Sequence, residues 1–245
     1  MLSPHLAWLH PNLIRSPRQD GPISFDGDDR PARDAAASVP IDRDVDRIIV
    51  VSPGDGSSYL ERLYALAGRA VPSGLDDWDA RIDRWCDQYE ARFESTRLLQ
   101  VFVEHAVYWF DQGDRYERVV VAYGISKLPD ATRDGNRMRR FPDVNVGVRA
   151  NLGDESFDAD RGHWLSHASG GELDINLFPQ RRELNRGWSD EGKVFRRMES
   201  AAAGTPGTFH FHRAVYDDDT WIPATIQYGV LRDDLEWWVE DFANK

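Results

Sequence analysis

The first half of the chain carries apolar patterns that predict helices. Between residues 78 and 93, large apolar side chains recur at steps of three and four, which places them on one face of a long helix. This stripe consists of Trp78, Ile82, Trp85, Tyr89 and Phe93. Stripes of this kind are typical of core packing, so we expect these side chains to be buried.

Two further helices are expected on either side of the stripe. One is amphipathic and covers residues 59–69, and the other is more evenly apolar and covers residues 98–110. A short strand is expected at residues 47–51. Residues 14–47 are rich in Asp, Arg, Pro, Ala and Ser and poor in large apolar side chains, which indicates a loosely ordered segment.

After Gln112-Gly113-Asp114 the pattern changes to one typical of strands. The expected strands are residues 117–126, 143–152, 208–216 and 220–231, with a helix at residues 193–203 and a short helix at the end. The sequence therefore predicts an α+β fold with an antiparallel sheet. Residues 1–111 are expected to form a mainly helical region, and residues 112–245 a second domain.

Composition indicates a folded globular protein. Apolar residues make up 41% of the 245, and nine Trp and eleven Phe supply core material. Since no stretch approaches the roughly 18 consecutive apolar residues that cross a bilayer, and the start lacks the apolar run of a signal peptide, we expect a cytoplasmic protein without membrane contact. The lone Cys86 is expected to be a buried apolar side chain.

The net charge of −12 argues against a general nucleic-acid coat protein, which binds phosphates through Lys and Arg. The charge is uneven, with a net −8 over residues 1–114 and −4 over residues 115–245. Arginines cluster at residues 133–140, 181–186 and 196–197. A local positive groove on an acidic body is compatible with this distribution.

Candidate chemistry is concentrated in Asp160-Arg161-Gly162-His163 and the segment that follows it. Phosphodiester hydrolysis needs a base for water and positive charge where the transition state becomes negative. A neutral His163 can accept a proton near pH 7, and Arg161 can offer a forked donor to phosphate oxygens. If residues 161–164 lie on a strand, these two side chains share a face.

Downstream residues suit a magnesium ion. Magnesium prefers oxygen ligands and keeps several waters, so one Asn carbonyl with a substrate phosphate can hold it. Asn185 fits that role, and Glu199 on the expected helix could accept a hydrogen bond from a metal-bound water. Asn176 and Gln180 could orient the loop and its neighbours.

Together, the Asp-Arg-Gly-His motif and the Asn-x3-Gln-x4-Asn spacing resemble the DNA/RNA non-specific endonuclease family, whose active site is the ββα-metal, or His-Me finger, arrangement. The resemblance covers roughly residues 115–232 and is nearest to the family's small bacterial toxin-type members. It implies His163 as general base, Arg161 as a phosphate contact, Asn185 as metal ligand and Glu199 as the helix carboxylate. Asn176 and Gln180 complete the implied catalytic set.

The sequence departs from the family pattern at two points. The stretch from Asn185 to Glu199 is longer than in the secreted enzymes, and no upstream arginine aligns with the family's second transition-state cation. Four arginines remain candidates for substrate phosphate: Arg139, Arg140, Arg149 and Arg186.

The resemblance implies a Mg²⁺-dependent endonuclease, with Mn²⁺ as an alternative metal, that cuts DNA, and RNA as a further substrate, as a toxin or antiviral defence effector. Residues 1–111 would then bind a regulatory or inhibitory protein partner. An alternative from another class is a non-catalytic acidic binding protein, such as an immunity factor or nucleic-acid mimic. A third is a sequence-specific His-Me enzyme, although no recognition module stands out.

Other residue patterns suggest less chemistry. His210-Phe211-His212 would place two imidazoles on one strand face, but no Cys or third His stands at zinc-ligand spacing, and exposed strand histidines are expected instead. Ser166 and His167 lack the glycines of a nucleophile elbow.

Overall fold

The computed structural model describes residues 48–51, 59–94, 98–112, 117–129 and 158–245. Its main element is a seven-stranded antiparallel sheet. In their order across the sheet, the strands are β1 (Ile48–Val51), β2 (Leu98–Val103), β3 (Ala106–Gln112), β4 (Glu117–Ile125), β7 (Phe209–Val215), β8 (Thr225–Leu231) and β9 (Trp237–Ala243).

A smaller unit is inserted between the neighbouring strands β4 and β7. It contains a two-stranded antiparallel hairpin of β5 (Ala159–His163) and β6 (Leu177–Arg181), in which Asp160 is opposite Gln180 and His163 is opposite Leu177. Two helices follow directly, α3 (Arg182–Arg186) and α4 (Asp190–Gly204). The order of this unit is therefore strand, strand, helix, helix.

Helix α2 (Trp78–Phe93) covers one face of the large sheet, and the shorter α1 (Tyr59–Leu66) precedes it. The Trp78 ring is 1% exposed and lies 4.8 Å from the Phe209 ring and 5.2 Å from the Phe211 ring, measured between centroids. Since alternate residues of a strand share a face, the odd positions of β7 point toward α2. The aromatic stripe is thus core, as the sequence predicts.

The inserted unit covers the opposite face. Phe195 of α4 lies 5.4 Å from Tyr228 of β8 and 5.1 Å from Phe242 of β9, between ring centroids. His212, at an even position of β7, lies 5.8 Å from the Phe195 ring. The sheet is therefore packed on both faces, and the inserted unit packs on buried side chains of β7, β8 and β9.

Two helices that the sequence predicts are not formed, and strands stand in their places. Residues 98–110 form the β2–β3 hairpin, with Glu104 in a left-handed conformation (φ 50°) at its turn. Both sides of these strands are largely buried. The evenly apolar run therefore suits a buried strand as well as a helix. At the end of the chain the short helix is replaced by β9, which pairs with β8 along its length.

Six of the expected elements agree with the structure. The structure confirms strands at residues 47–51, 117–126 and 208–216 and helices at residues 59–69, 78–93 and 193–203, each to within a few residues. The strand expected at residues 220–231 begins only at Thr225. The strand expected at residues 143–152 and the segment 14–47 lie outside the described residues.

The α+β class with an antiparallel sheet is confirmed, whereas the expected boundary between residues 111 and 112 falls inside β3. Strand β3 pairs with β2 on one side and β4 on the other, so the described chain continues through this point as one sheet. The described part of residues 1–111 contains the helices α1 and α2 together with β1, β2 and nearly all of β3. No helix among the described residues is both long and apolar enough to cross a membrane.

Candidate functional site

Asp160 gathers three side chains of α3 around its carboxylate. It accepts hydrogen bonds from Arg182 Nε at 3.2 Å, from Asn185 Nδ2 at 3.2 Å and from Arg186 at 2.6 and 3.0 Å. We call these four residues the Asp160 cluster. Burial by itself would raise the pKa of the Asp160 carboxyl, but the hydrogen bonds from Arg186, Asn185 and Arg182 lower it below its usual value.

Helix α3 presents these side chains because it starts directly after β6 and is stopped after five residues. Gly187 ends it in the left-handed conformation (φ 70°), and Ser189 then caps α4 by accepting a bond from the Gly192 N–H at 2.9 Å. Any Cβ at position 192 would lie 2.5 Å from the Glu183 carbonyl oxygen. The glycine therefore permits the close packing of α3 on α4.

The cluster determines which atom of Asn185 is left for a ligand. An ionised carboxylate only accepts hydrogen bonds, so the amide nitrogen of Asn185 must face Asp160. The Asn185 carbonyl oxygen consequently points away from the carboxylate, on a side chain that is partly exposed. Oxygen donors of this kind suit a magnesium ion, so the residue fits the metal-binding role expected of it.

Arg161 and His163 share the other face of β5. The β5–β6 register is regular, so alternation places these two side chains together and opposite to Asp160. The strand that this expectation required is confirmed, and alternation places Arg161 and His163 on the opposite face of β5 from Asp160, which holds Asn185. Arg161 is partly exposed, and His163, the last residue of β5, is 8% exposed.

Asn176 is a positioning residue in this structure. It is fully buried; its amide oxygen accepts from Leu165 N at 2.8 Å, and its amide nitrogen donates to Leu165 O and Glu172 O at 2.8 and 2.7 Å. These bonds brace the loop that follows His163. These three bonds to backbone groups agree with the role expected of Asn176 in orienting the loop, and its place in the catalytic set stays a prediction.

Gln180 lies beneath the motif glycine. Gln180 is 1% exposed. A Cβ added at Gly162 would lie 2.5 Å from the Cβ of Gln180. The glycine of the Asp-Arg-Gly-His motif is therefore required for Gln180 to pack against β5. Gln180, like Asn176, supports the hairpin from within.

Glu199 lies on α4. Its side chain is 12% exposed and pairs with Arg196 at 2.6 Å, one turn earlier on the same helix. Burial and the neighbouring Glu199 carboxylate both raise the pKa of Tyr228 on the sheet. The structure thus brings Glu199 to Arg196 and the sheet, while the Asp160 cluster is built by β5 and α3.

The phosphate-binding candidates divide into two groups. Arg186 is exposed and donates two hydrogen bonds to Asp160, and its role as a phosphate contact stays a prediction. The remaining three, Arg139, Arg140 and Arg149, lie outside the described residues. The sequence reasoning missed Asp160 and Arg182 as partners, although the motif and the arginine cluster at residues 181–186 contained both.

The described residues contain no group of three or more His, Cys, Asp or Glu side chains that could hold a metal ion. A metal ion at this site would depend on the neutral Asn185 oxygen, with substrate oxygens and water as its other ligands.

His210 and His212 are core residues, so the expectation of exposed strand histidines is wrong. They are 0% and 1% exposed, and the His212 ring stacks on Tyr228 at 3.9 Å between centroids. Burial, with a smaller contribution from His105, lowers the pKa of His210 to about 3. Even positions of β7 are buried because the inserted unit covers that face of the sheet.

No protein-family model and no curated protein sequence showed a match to this chain.

Proposed function

We propose that this protein is a magnesium-dependent endonuclease that hydrolyses DNA, and RNA as a further substrate, with little sequence preference. One observation carries the proposal: the first residue of the Asp-Arg-Gly-His motif on β5 is hydrogen-bonded to Asn185 on the helix that follows the hairpin. Residues 160 and 185 are the two ends of the motif pattern that resembles the ββα-metal nucleases. The strand, strand, helix order of β5, β6 and α3 agrees with that resemblance.

His163 would act as the general base. Its ring would take a proton from the attacking water, and Arg161, on the same face of β5, would bind a phosphate oxygen and balance the charge that develops there. A bound Mg²⁺ or Mn²⁺ would polarise the phosphate and stabilise the departing 3′ oxygen. Asn185 would hold the ion through its carbonyl oxygen, in the orientation that Asp160 imposes.

The structure changes the roles proposed for two other residues. Arg186 would neutralise and fix Asp160, leaving Arg161 as the phosphate contact among the described candidates. Glu199 accepts a hydrogen bond from Arg196 on the same helix. It would have to hold a metal-bound water from that position. We therefore base the proposed chemistry on His163, Arg161 and Asn185.

The biological role we propose is that of a toxin or defence effector acting in the cytoplasm under the control of a protein partner. The motivation is chemical, since a nuclease with little sequence preference must be restrained where nucleic acid is its neighbour. Strands β1 to β3 belong to the same sheet as β4. A partner that binds this region would therefore act on an integral part of the fold.

The proposal is tested by incubating the purified full-length chain with plasmid DNA and with RNA, each with Mg²⁺ or EDTA. We expect cleavage at many sites with Mg²⁺, none with EDTA, and a decline as salt rises, because phosphate contacts do not read bases. His163→Ala should lower turnover by roughly 100-fold or more. The matched control is His167→Ala, a partly exposed histidine in the next turn of chain.

Equal activity of His163→Ala and the wild type would overturn the assignment of the base. A single sharp cut in plasmid would favour a sequence-specific enzyme. Absence of cleavage under all conditions would favour the non-catalytic acidic binding protein.

A further inference from the structure

Trp188 is an exposed aromatic side chain beside the Asp160 cluster. The exposed large apolar side chains in the described ranges are Leu128, Trp188, Leu235 and Val239, and Trp188 alone among these four is aromatic. It is 62% exposed and stands three residues after Asn185. Leaving an indole this exposed forgoes most of the free energy that its burial would provide.

The backbone that carries Trp188 is firmly held. The Trp188 N–H donates to the Glu183 carbonyl at 2.9 Å, and Gly187 packs so closely on Arg196 that an added Cβ would lie 2.9 Å from the Arg196 Cγ. The next residue, Ser189, is the cap of α4. The indole therefore projects from a fixed point between two helices.

A guanidinium lies against one face of the indole. The Arg186 guanidinium lies 4.9 Å from the ring centroid, and the same guanidinium is bonded to Asp160. Asp160 in turn holds the candidate metal ligand Asn185. A single carboxylate thus fixes both the candidate metal ligand and the cation that lies against the indole, while the large exposed fraction leaves the rest of the ring open to solvent.

We propose that Trp188 is a base-stacking residue that binds an unpaired nucleobase of the substrate strand. This inference rests on the proposed nuclease function and adds a preference for single-stranded or locally unpaired nucleic acid. A flat aromatic face with a guanidinium behind it suits the flat face of a base, and such stacking tolerates any base. Bases inside a duplex have both faces covered by their neighbours, so only an unpaired base can use the indole fully.

The test measures binding by fluorescence anisotropy, in EDTA so that no strand is cut. Labelled oligothymidine and a labelled duplex of equal length are each titrated with four proteins: the wild type, Trp188→Ala, Trp188→Phe and Leu128→Ala. The last is the control, because it removes another highly exposed apolar side chain (69% exposed). We expect Trp188→Ala to weaken single-strand binding by roughly 5- to 150-fold, the range of one base–aromatic stack. Duplex binding should change less than twofold, Trp188→Phe should retain most of the affinity, and Leu128→Ala should equal the wild type.

Unchanged single-strand binding by Trp188→Ala would overturn the inference, as would an equal loss on single strand and duplex. A parallel cleavage assay of the wild type with Mg²⁺ tests the nuclease proposal independently of the stacking role. Cleavage with unaffected binding by Trp188→Ala rejects the stacking role alone. Trp188-dependent binding without cleavage supports the stacking role and rejects the nuclease, and wild-type protein that neither binds nor cuts rejects both.

Discussion

Asp160 and Asn185 are 25 positions apart in the chain, and the Asn185 amide nitrogen donates to the Asp160 carboxylate at 3.2 Å. The bond orients the carbonyl oxygen of Asn185 away from Asp160. It also connects the first strand of the hairpin to the short helix that follows the second. Asp160 is therefore a positioning residue for the candidate metal site.

The first prediction concerns this carboxylate. Asp160→Asn should raise the Mg²⁺ concentration at half-maximal cleavage by roughly 10- to 100-fold, because groups that orient a metal ligand typically affect affinity to that extent. A neutral amide removes the charge that holds Arg182 and Arg186, and no longer requires Asn185 to present its nitrogen. The measurement is a Mg²⁺ titration of plasmid cleavage.

The matched control is Asp158→Asn. Asp158 is exposed and bonds the Arg182 guanidinium at 2.8 Å, but it belongs to the surface rather than to the Asn185 contact. Its titration should match the wild type. If both variants shift the midpoint equally, general loss of negative charge explains the effect and the positioning role is wrong.

A second prediction concerns stability in acid. The pKa of His210 is lowered to about 3, and burial also lowers that of His212, so both are neutral in the folded protein when unfolded imidazoles near 6.5 begin to protonate. The unfolded state then binds more protons, and the stability present above pH 6.5 is lost as the pH falls toward 3. Each histidine should contribute a slope of up to about 1.4 kcal/mol per pH unit.

Urea unfolding between pH 7 and 4.5 measures this slope, in a range above the titration of most carboxylates. His212→Phe should reduce it, since phenylalanine has a similar shape and cannot take up a proton. His167→Phe, at a partly exposed position, should leave it unchanged. A slope that His212→Phe does not alter would show that other groups dominate the acid response.

The third prediction concerns a buried ionic network that joins α2 to the sheet. Arg118 is 3% exposed and donates to the Tyr89 hydroxyl at 2.7 Å, and that hydroxyl donates to Asp111 at 2.5 Å. Arg118 also donates to the Asp218 carbonyl at 3.0 Å. Arg118→Met would remove the buried positive charge that Tyr89 connects to Asp111, and should lower the free energy of unfolding by about 3–5 kcal/mol.

Chemical denaturation followed by tryptophan fluorescence provides the measurement. Arg232→Met is the control, because Arg232 forms exposed ion pairs with Asp234 and Glu236 and such pairs contribute little. It should change stability by less than about 1 kcal/mol. Similar losses in both variants would mean that the Arg118 network is no more than a surface interaction.

The fourth prediction concerns separability of the first half of the chain. A fragment beginning at Gln112 lacks β1, β2, nearly all of β3, and α2, so it exposes the edge of β4 and the side of Phe209 and Phe211 that packs on Trp78. We expect it to be insoluble or unfolded by circular dichroism. A soluble, folded fragment that cleaves nucleic acid as well as the full chain would instead establish residues 1–111 as a regulatory or delivery module.

What the sequence determined by itself is local. The repeat of apolar residues at three and four positions identifies α2 and α4, because one covered face and one exposed face leave a clear periodic signal. The strands β4 and β7 were recognised instead by their residue types and by the Gly and Asp residues that mark the neighbouring turns. The Asp-Arg-Gly-His motif likewise singles out the segment where Arg161 and His163 share a strand face.

Only the tertiary structure decided which segments are covered on both sides. Residues 98–110 are buried at most positions of both strands, and a run that is apolar on every side has no period to separate strand from helix. The same covering buries His210 and His212, whose alternation with Phe209 and Phe211 looks like an exposed polar face in the sequence. The Asp160–Asn185 bond also depends on the hairpin and the abrupt stop of α3 at Gly187, since a contact across 25 residues is set by how the elements pack and not by local propensity.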